Sequence, residues 1–251
     1  MRSWAGLVRD PAHGSLPVLL LVLTAATGLI DAVSILGLGR VFVANMTGNV
    51  VFLGFALAGA PGFSLAPSLA ALAGFLAGAL AGGRLVHCWA GNRGRLLRNI
   101  TALEFGLVAL STVIATAITT VITAVSPAGP PAVAAVAVAA LLAVAMGLQN
   151  TMARRLAVPD LTTTVLTMTL TGIAADAHRS PTGTIARRVL AVLTMFAGAV
   201  AGALLVLHTS LAWALAPAAL ALAVVVLVAT AASRHPAGWQ NDTAAGGPPR
   251  R

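Results

Sequence analysis

The chain has 251 residues, of which 59% are hydrophobic and 8% charged, against roughly 25% charged in an ordinary soluble domain. Its net charge of +9 comes from 15 arginines, with no lysine, set against six acidic side chains. Too few charged groups remain to coat a water-facing surface, which excludes an ordinary cytosolic enzyme, a secreted disulfide scaffold and a disordered tail protein. The arginines sit in short clusters between apolar runs, so the positive charge does not read as a nucleic-acid surface. One cysteine, Cys88, makes no internal disulfide. With a mean hydropathy of +0.96, the chain reads as an integral membrane protein whose first partner is the lipid bilayer.

A helix needs about 20 mostly apolar residues to cross roughly 30 Å of hydrocarbon. Arg2 and Arg9 precede the first apolar run, but that run is longer than a secretory core and no small-residue cleavage site follows it. Residues 1–15 are therefore read as a cytoplasmic tail. In chain order, six stretches have the length of a span: 16–37, 65–87, 100–124, 131–152, 187–207 and 209–231. Two further apolar stretches are interrupted. The first, 41–60, carries Asn45, Thr47, Gly48 and Asn49 near its start; the second, 161–178, is short and rich in threonine from Thr162 to Thr171. From residue 232 the chain is rich in Pro, Gly and Ala and polar, the composition of a disordered tail.

Arginine placement decides between six and eight crossings, because positive charge retained in the cytoplasm sets orientation. If both interrupted stretches enter and leave on one side, every arginine but Arg40 falls on the cytoplasmic side. The expected outer connections, 125–130 and the turn near His208, then carry none. The expected fold is an all-α polytopic membrane protein with six transmembrane helices, two short re-entrant or broken segments and both termini cytoplasmic.

The two halves, 16–124 and 131–231, match at a spacing of 119–120 residues. Gly28-Leu29-Ile30-Asp31 corresponds to Gly147-Leu148-Gln149-Asn150, Thr47 to Thr167, and Gly78 and Gly82 to Gly198 and Gly202. Three spans per half make the second half enter from the opposite side, so the expectation is two inverted repeats. Non-helical backbone at membrane depth survives only in protein or beside a watery cavity, and two such segments dipping from opposite faces describe a central site. Gly74, Gly78 and Gly82, with Gly198 and Gly202, recur at four-residue spacing and are read as helix-packing faces.

Asp31 lies deep in the first span, on a polar stripe with Thr24, Thr27 and Ser34. Intramembrane acids are costly and mark ion or substrate sites. The alternative is a structural carboxylate, paired with Arg40 or capping a broken helix. Asn45 to Asn49 supply uncharged donors and acceptors. Gly48 permits a turn, and a half-helix is expected through 50–60 with its positive N-terminal end pointing at a bound group; a plain helix cap is the other reading. The threonines, Thr163 and Thr167 among them, either line a pore or bond back to their own helix. Gln149 and Asn150 complete the candidate site, and Arg154 and Arg155 are read as topology anchors. Glu104, near Arg98 at the start of the third span, and Asp176, beside His178 and Arg179, are read as interfacial. Histidines 13, 87, 178, 208 and 235 are scattered, and no catalytic, metal or cofactor motif appears.

Gly28-Leu-Ile-Asp31-Ala-Val-Ser, Phe42-Val-Ala-Asn45-Met-Thr47-Gly48-Asn49, Met146-Gly-Leu-Gln149-Asn150 and the Thr162–Thr167 block resemble the YoaK-like family of bacterial membrane proteins. The resemblance runs over residues 17–231, with Met168 standing where Gly48 stands in the first segment. It implies a bacterial inner-membrane protein and supplies neither substrate nor mechanism. The residues themselves suggest a transporter of a small polar solute, proton- or cation-coupled or a passive channel, with a site of Asp31, Asn45, Thr47, Gly48, Asn49, Gln149, Asn150, Thr163 and Thr167. The competing class is a non-transporting assembly or sensor subunit. No enzyme activity, metal or cofactor is expected, and a homo-oligomer is compatible with either class.

Overall fold

The computed structural model describes residues 13–89, 91–125, 132–159, 161, 163–164, 166–176, 182–233 and 240. Arg2, Arg9, Thr162, His178, Arg179, His235 and the connection after Val125 lie outside them. Among the described residues there are eight helices and no strand: α1 Leu16–Gly37, α2 Met46–Leu57, α3 Leu65–Trp89, α4 Arg93–Val125, α5 Ala132–Leu156, α6 Thr167–Ala175, α7 Thr182–His208 and α8 Leu211–Ser233. Six of these are long and apolar enough to cross a membrane. The 12 residues of α2 and 9 of α6 rise only about 18 and 14 Å, short of a span.

The helix starts follow local chemistry. Proline sits in the first turn of α1, where its missing N–H costs nothing. α4 and α7 begin several residues before the apolar runs proper, at Arg93 and Thr182. Arginine is a good helix former, and a span can extend beyond the hydrocarbon into water.

Contacts between helix ends set the direction of each span. The Arg93 guanidinium, at the start of α4, meets His13 just before α1 (3.2 Å) and the carbonyl of Leu156 at the end of α5 (2.5 Å). Gln240 packs on Gly94 and donates to the carbonyl of Ala232 near the end of α8 (2.8 Å). These contacts gather the start of α1, the α3–α4 connection and the ends of α5 and α8 at one end of the bundle, the near end. α7 runs parallel to α1, with Gly198 on Ala25 and Gly202 on Leu29, so it also starts there; α3 runs parallel to α5, with Gly74 on Ala140 and Gly78 on Val144. The end of α1, the start of α3 and the α7–α8 turn form the far end. Residues 38–64 thus leave and rejoin the bundle at its far end, and α6 lies between two helix ends at the near end.

The most extensive packing is between α1 and α7 and between α3 and α5, and it depends on glycine. A Cβ on Gly28 would land on the carbonyl oxygen of Met195, and one on Gly147 on that of Phe75. Gly78 and Gly198 lie as tightly against Val144 and Ala25, and Gly82 and Gly202 against Thr151 and Leu29. Thr151 adds a bond to the Ala79 carbonyl (3.3 Å). α1 is the most enclosed span: 67% of its apolar window is buried, against 17% for α7.

One acidic residue departs from expectation. Because α4 starts at Arg93, Glu104 lies three turns inside the helix, about 16 Å from its start. It is fully buried rather than interfacial, and Arg98 donates to Asn99 (3.0 Å) instead of pairing with it. Asp176 pairs with Arg188 at 3.0 Å.

Candidate functional site

In the first half the chain turns back at the end of α1 through Gly39 and Arg40, both at positive φ (94° and 57°). It descends as far as Asp31, which sits six residues before the helix end, or about 9 Å deep. There Oδ1 of Asp31 accepts the backbone N–H groups of Val43 (3.3 Å) and Ala44 (3.1 Å). No described residue bonds its other oxygen. The Arg40 guanidinium lies against Gly62, so the acid is not paired with it; of the two structural alternatives, the structure places Asp31 at the break itself. Charge-assisted bonds to backbone amides are among the stronger ones, and they satisfy donors that have no helix to join at that depth.

α2 then rises back toward the far end. It begins at Met46, four residues earlier than expected, so Thr47, Gly48 and Asn49 lie in its first turn. Asn45 is the N-cap residue, without a side-chain capping bond. Gly48 does not make a turn: it is helical, and a Cβ there would sit 2.5 Å from the Phe42 ring. Asn49 is fully buried, accepting from the N–H of Phe42 (2.9 Å) and donating to its carbonyl (2.6 Å). Its amide braces the descending chain, and Nδ2 also donates to the Met46 sulfur (3.6 Å). Asn45 and Thr47 are exposed and hold nothing in place. Phe42 stacks on Phe52 (centroids 5.6 Å apart), which meets Phe55 and Phe63. Sequence reasoning missed this ring cluster, although four phenylalanines within 22 residues were its visible signal.

In the second half Gln149 and Asn150 occupy the corresponding place, six to seven residues before the end of α5. Asn150 accepts from the hydroxyl of Thr164 (2.7 Å), and Gln149 donates to the hydroxyl of Thr163 (3.1 Å). Thr163 is held at φ 62°, an outlier for a β-branched residue. Thr167 opens α6 and is exposed; Thr171 bonds back to its carbonyl (2.9 Å), as a threonine inside a helix does. Gly172 lies under the Arg188 guanidinium.

One side chain ties the second break to α1. Gln149, fully buried, also donates to Thr27 on α1 (2.8 Å), one turn before Asp31. A buried polar thread therefore runs from Thr163 through Gln149 and Thr27 toward Asp31. Along α1 the hydroxyls of Thr24, Thr27 and Ser34 bond to their own helix, leaving their lone pairs to accept. A groove of about 690 Å³ opens between Phe75, Leu76 and Leu80 of α3 and Asn150 and Arg154 of α5. Of the candidate site residues only Asn150 lines it. Among the described residues no cluster of His, Cys, Asp or Glu could hold a metal.

Comparison with known proteins points one way. The family described as "Protein of unknown function (DUF1275)" matches residues 19–228. The UPF0700 transmembrane protein YoaK of Bacillus subtilis (strain 168) is 29% identical over 163 residues, 63% of this chain and 65% of the relative. The chain thus spans somewhat less than two thirds of the curated relative it matches. No solved structure matches it.

Proposed function

Since the match covers most of its length, the chain belongs to the DUF1275 family, a YoaK-like group of multi-pass membrane proteins, and we propose that this member is a transporter of a small polar solute. The observation that carries the reading is the pair of half-helices, α2 and α6, which start at depth from opposite ends, the break before α6 being tied to α1 by Gln149, between Thr163 and Thr27. Half-helix N-termini at membrane depth offer unsatisfied N–H groups and partial positive charge to a solute. Asn45 and Thr47 stand at one such terminus, and Thr167 at the other.

The halves are read as inverted repeats. Gly28 meets Met195 as Gly147 meets Phe75, and Gly198 meets Ala25 as Gly78 meets Val144. Each pair maps onto its counterpart at the 119–120 residue offset, with α1 and α5 running in opposite directions. We further infer a bacterial inner-membrane location with both termini cytoplasmic. Among the described arginines all but Arg40 lie toward the near end, and positive charge stays inside. We propose no reaction for the chain.

A non-transporting membrane subunit is the second reading. It is favoured by the use of Asn49, and of Asp31 Oδ1, in holding the loop backbone. A thermal-shift screen of purified protein against small metabolites, followed by vesicle uptake of each stabilising solute, separates the two. Transport requires uptake above empty vesicles, reduced at least tenfold by Asn45→Ala with Thr47→Ala. A passive channel would pass the solute without a driving gradient of protons or cations. Stabilisation without uptake, or uptake indifferent to the double substitution, removes the transporter reading.

A further inference from the structure

Glu104 is not part of the thread just described, yet it is fully buried in a membrane-crossing helix, and among the described residues neither carboxyl oxygen has a hydrogen-bond partner. It lies on the buried stripe of α4 that includes Thr101, Val108 and Ser111, the stripe that packs on α5 and α8. An ionised carboxylate without a partner is among the most costly groups to bury. Such residues inside a membrane are retained for function by default, usually with a partner close by.

The partner follows from register. α4 and α5 are antiparallel neighbours, and the Thr101 hydroxyl meets the Met152 sulfur at 3.9 Å. Three residues onward in α4 and three back in α5 bring Glu104 level with Gln149. With the Thr27 hydroxyl proton on the Leu23 carbonyl, Thr27 accepts and Gln149 presents its NH2 there. Both amide protons are used, on Thr27 and Thr163. Oε1 is left buried with no donor. Two unsatisfied acceptors thus stand at one level of the α4–α5 seam, and the geometry points to a proton-binding site in which the carboxyl of Glu104, carrying the proton, donates it in a hydrogen bond to Oε1 of Gln149. A single proton supplies the one donor that both groups lack.

A metal cation fits less well. Hard cations take about six or more oxygen ligands, and the next unpartnered oxygen on the stripe, that of Ser111, lies two turns away, about 10 Å. Nor does a fixed charge replace the proton. α8 carries no titratable group between Leu211 and Ser233. The ionisable groups of α5, Arg154 and Arg155, and of α3, Arg84, His87 and Cys88, lie toward the near end, as do Arg93, Arg95 and Arg98 of α4 itself.

The composition makes the test unusually direct, because Glu104 is the chain's one glutamate. Full-length protein made by cell-free synthesis with glutamate 13C-labelled at its side-chain carboxyl reports this residue without any substitution. In detergent at neutral pH, the infrared spectrum should show an isotope-shifted band of a protonated carboxyl, and Gln149→Leu should change its frequency. Unlabelled Glu104→Gln, which keeps an N–H to donate to Gln149, should lose that carboxyl band, whereas Asp31→Asn should keep it. An isotope-shifted carboxylate band in its place overturns the proposal. A carboxyl band unmoved by Gln149→Leu overturns the assigned partner. Neither reading depends on whether anything is transported.

Discussion

At the end of α1 a carboxylate, Asp31, holds the returning chain by two backbone amides; at the end of α5 an amide, Asn150, holds it by the hydroxyl of Thr164. The first arrangement grips main chain, so the gripped residues, Val43 and Ala44, need no polar side chains. The second grips side chains and requires threonines at the corresponding places. Their surroundings differ as well. Phenyl rings from Phe42, Phe52, Phe55 and Phe63 pack the first break, and an Arg188–Asp176 ion pair lies over Gly172 in the second. Charge-assisted bonds and apolar packing make the first break the firmer anchor. Neutral side-chain bonds and a threonine at positive φ make the second the softer one.

Substitutions can break that ranking. Asp31→Ala should have the largest effect, since it strips two buried amides of their acceptor at about 1–3 kcal/mol each. Thermal unfolding in detergent should show the greatest fall for it, and Asp31→Asn, which keeps one acceptor oxygen, should fall less. Asn49→Ala comes next. It frees the N–H and carbonyl of Phe42 and should cost about 1–3 kcal/mol, with faster hydrogen exchange confined to residues 42–44. Asn150→Ala loses one neutral bond to the returning chain, besides the one to the Met146 carbonyl of its own helix, and should cost about 1 kcal/mol, with exchange rising most around 163–164. Asp176→Asn should be smallest, below about 1 kcal/mol, because the Asp176 side chain is 45% exposed, and its effect should shrink with added salt. An Asn150→Ala loss equal to that of Asp31→Ala would refute the ranking. The topology beneath it is tested by labelling. Cysteines replacing Arg40 and Ser64 should react from one face of the membrane and native Cys88 from the other.

The six spans were legible because length and hydropathy alone decide whether a helix can cross. Their polar ends were not: arginines at 93–98 looked like a loop and are the first turns of α4, and this displaced Glu104 from the expected surface into the core. The breaks were legible as places, since Asn, Thr and Gly do not gather at depth without reason. The partners inside them were hidden for specific causes. Asp31 bonds main-chain atoms of Val43 and Ala44, which leave no mark on side-chain chemistry. Gly48 answers to the ring of Phe42 rather than to a turn, and six residues of separation gave no hint of that contact. The role of Gln149 needs three elements at once, α1, α5 and the second break, and no spacing within one half encodes it.

The exchange of partners between halves, α1 with α7 and α3 with α5, bears on how the chain is made. Of the six spans α1 is made before the others, with its acid and its polar stripe, but the helix that covers Gly28 is completed only when the ribosome has passed His208. Until then the nascent first half must wait, shielded by the insertion machinery or by lipid, for a companion not yet synthesised. Neither half is a stopping point in biogenesis, and a chain truncated before α7 should be cleared by membrane quality control rather than accumulate.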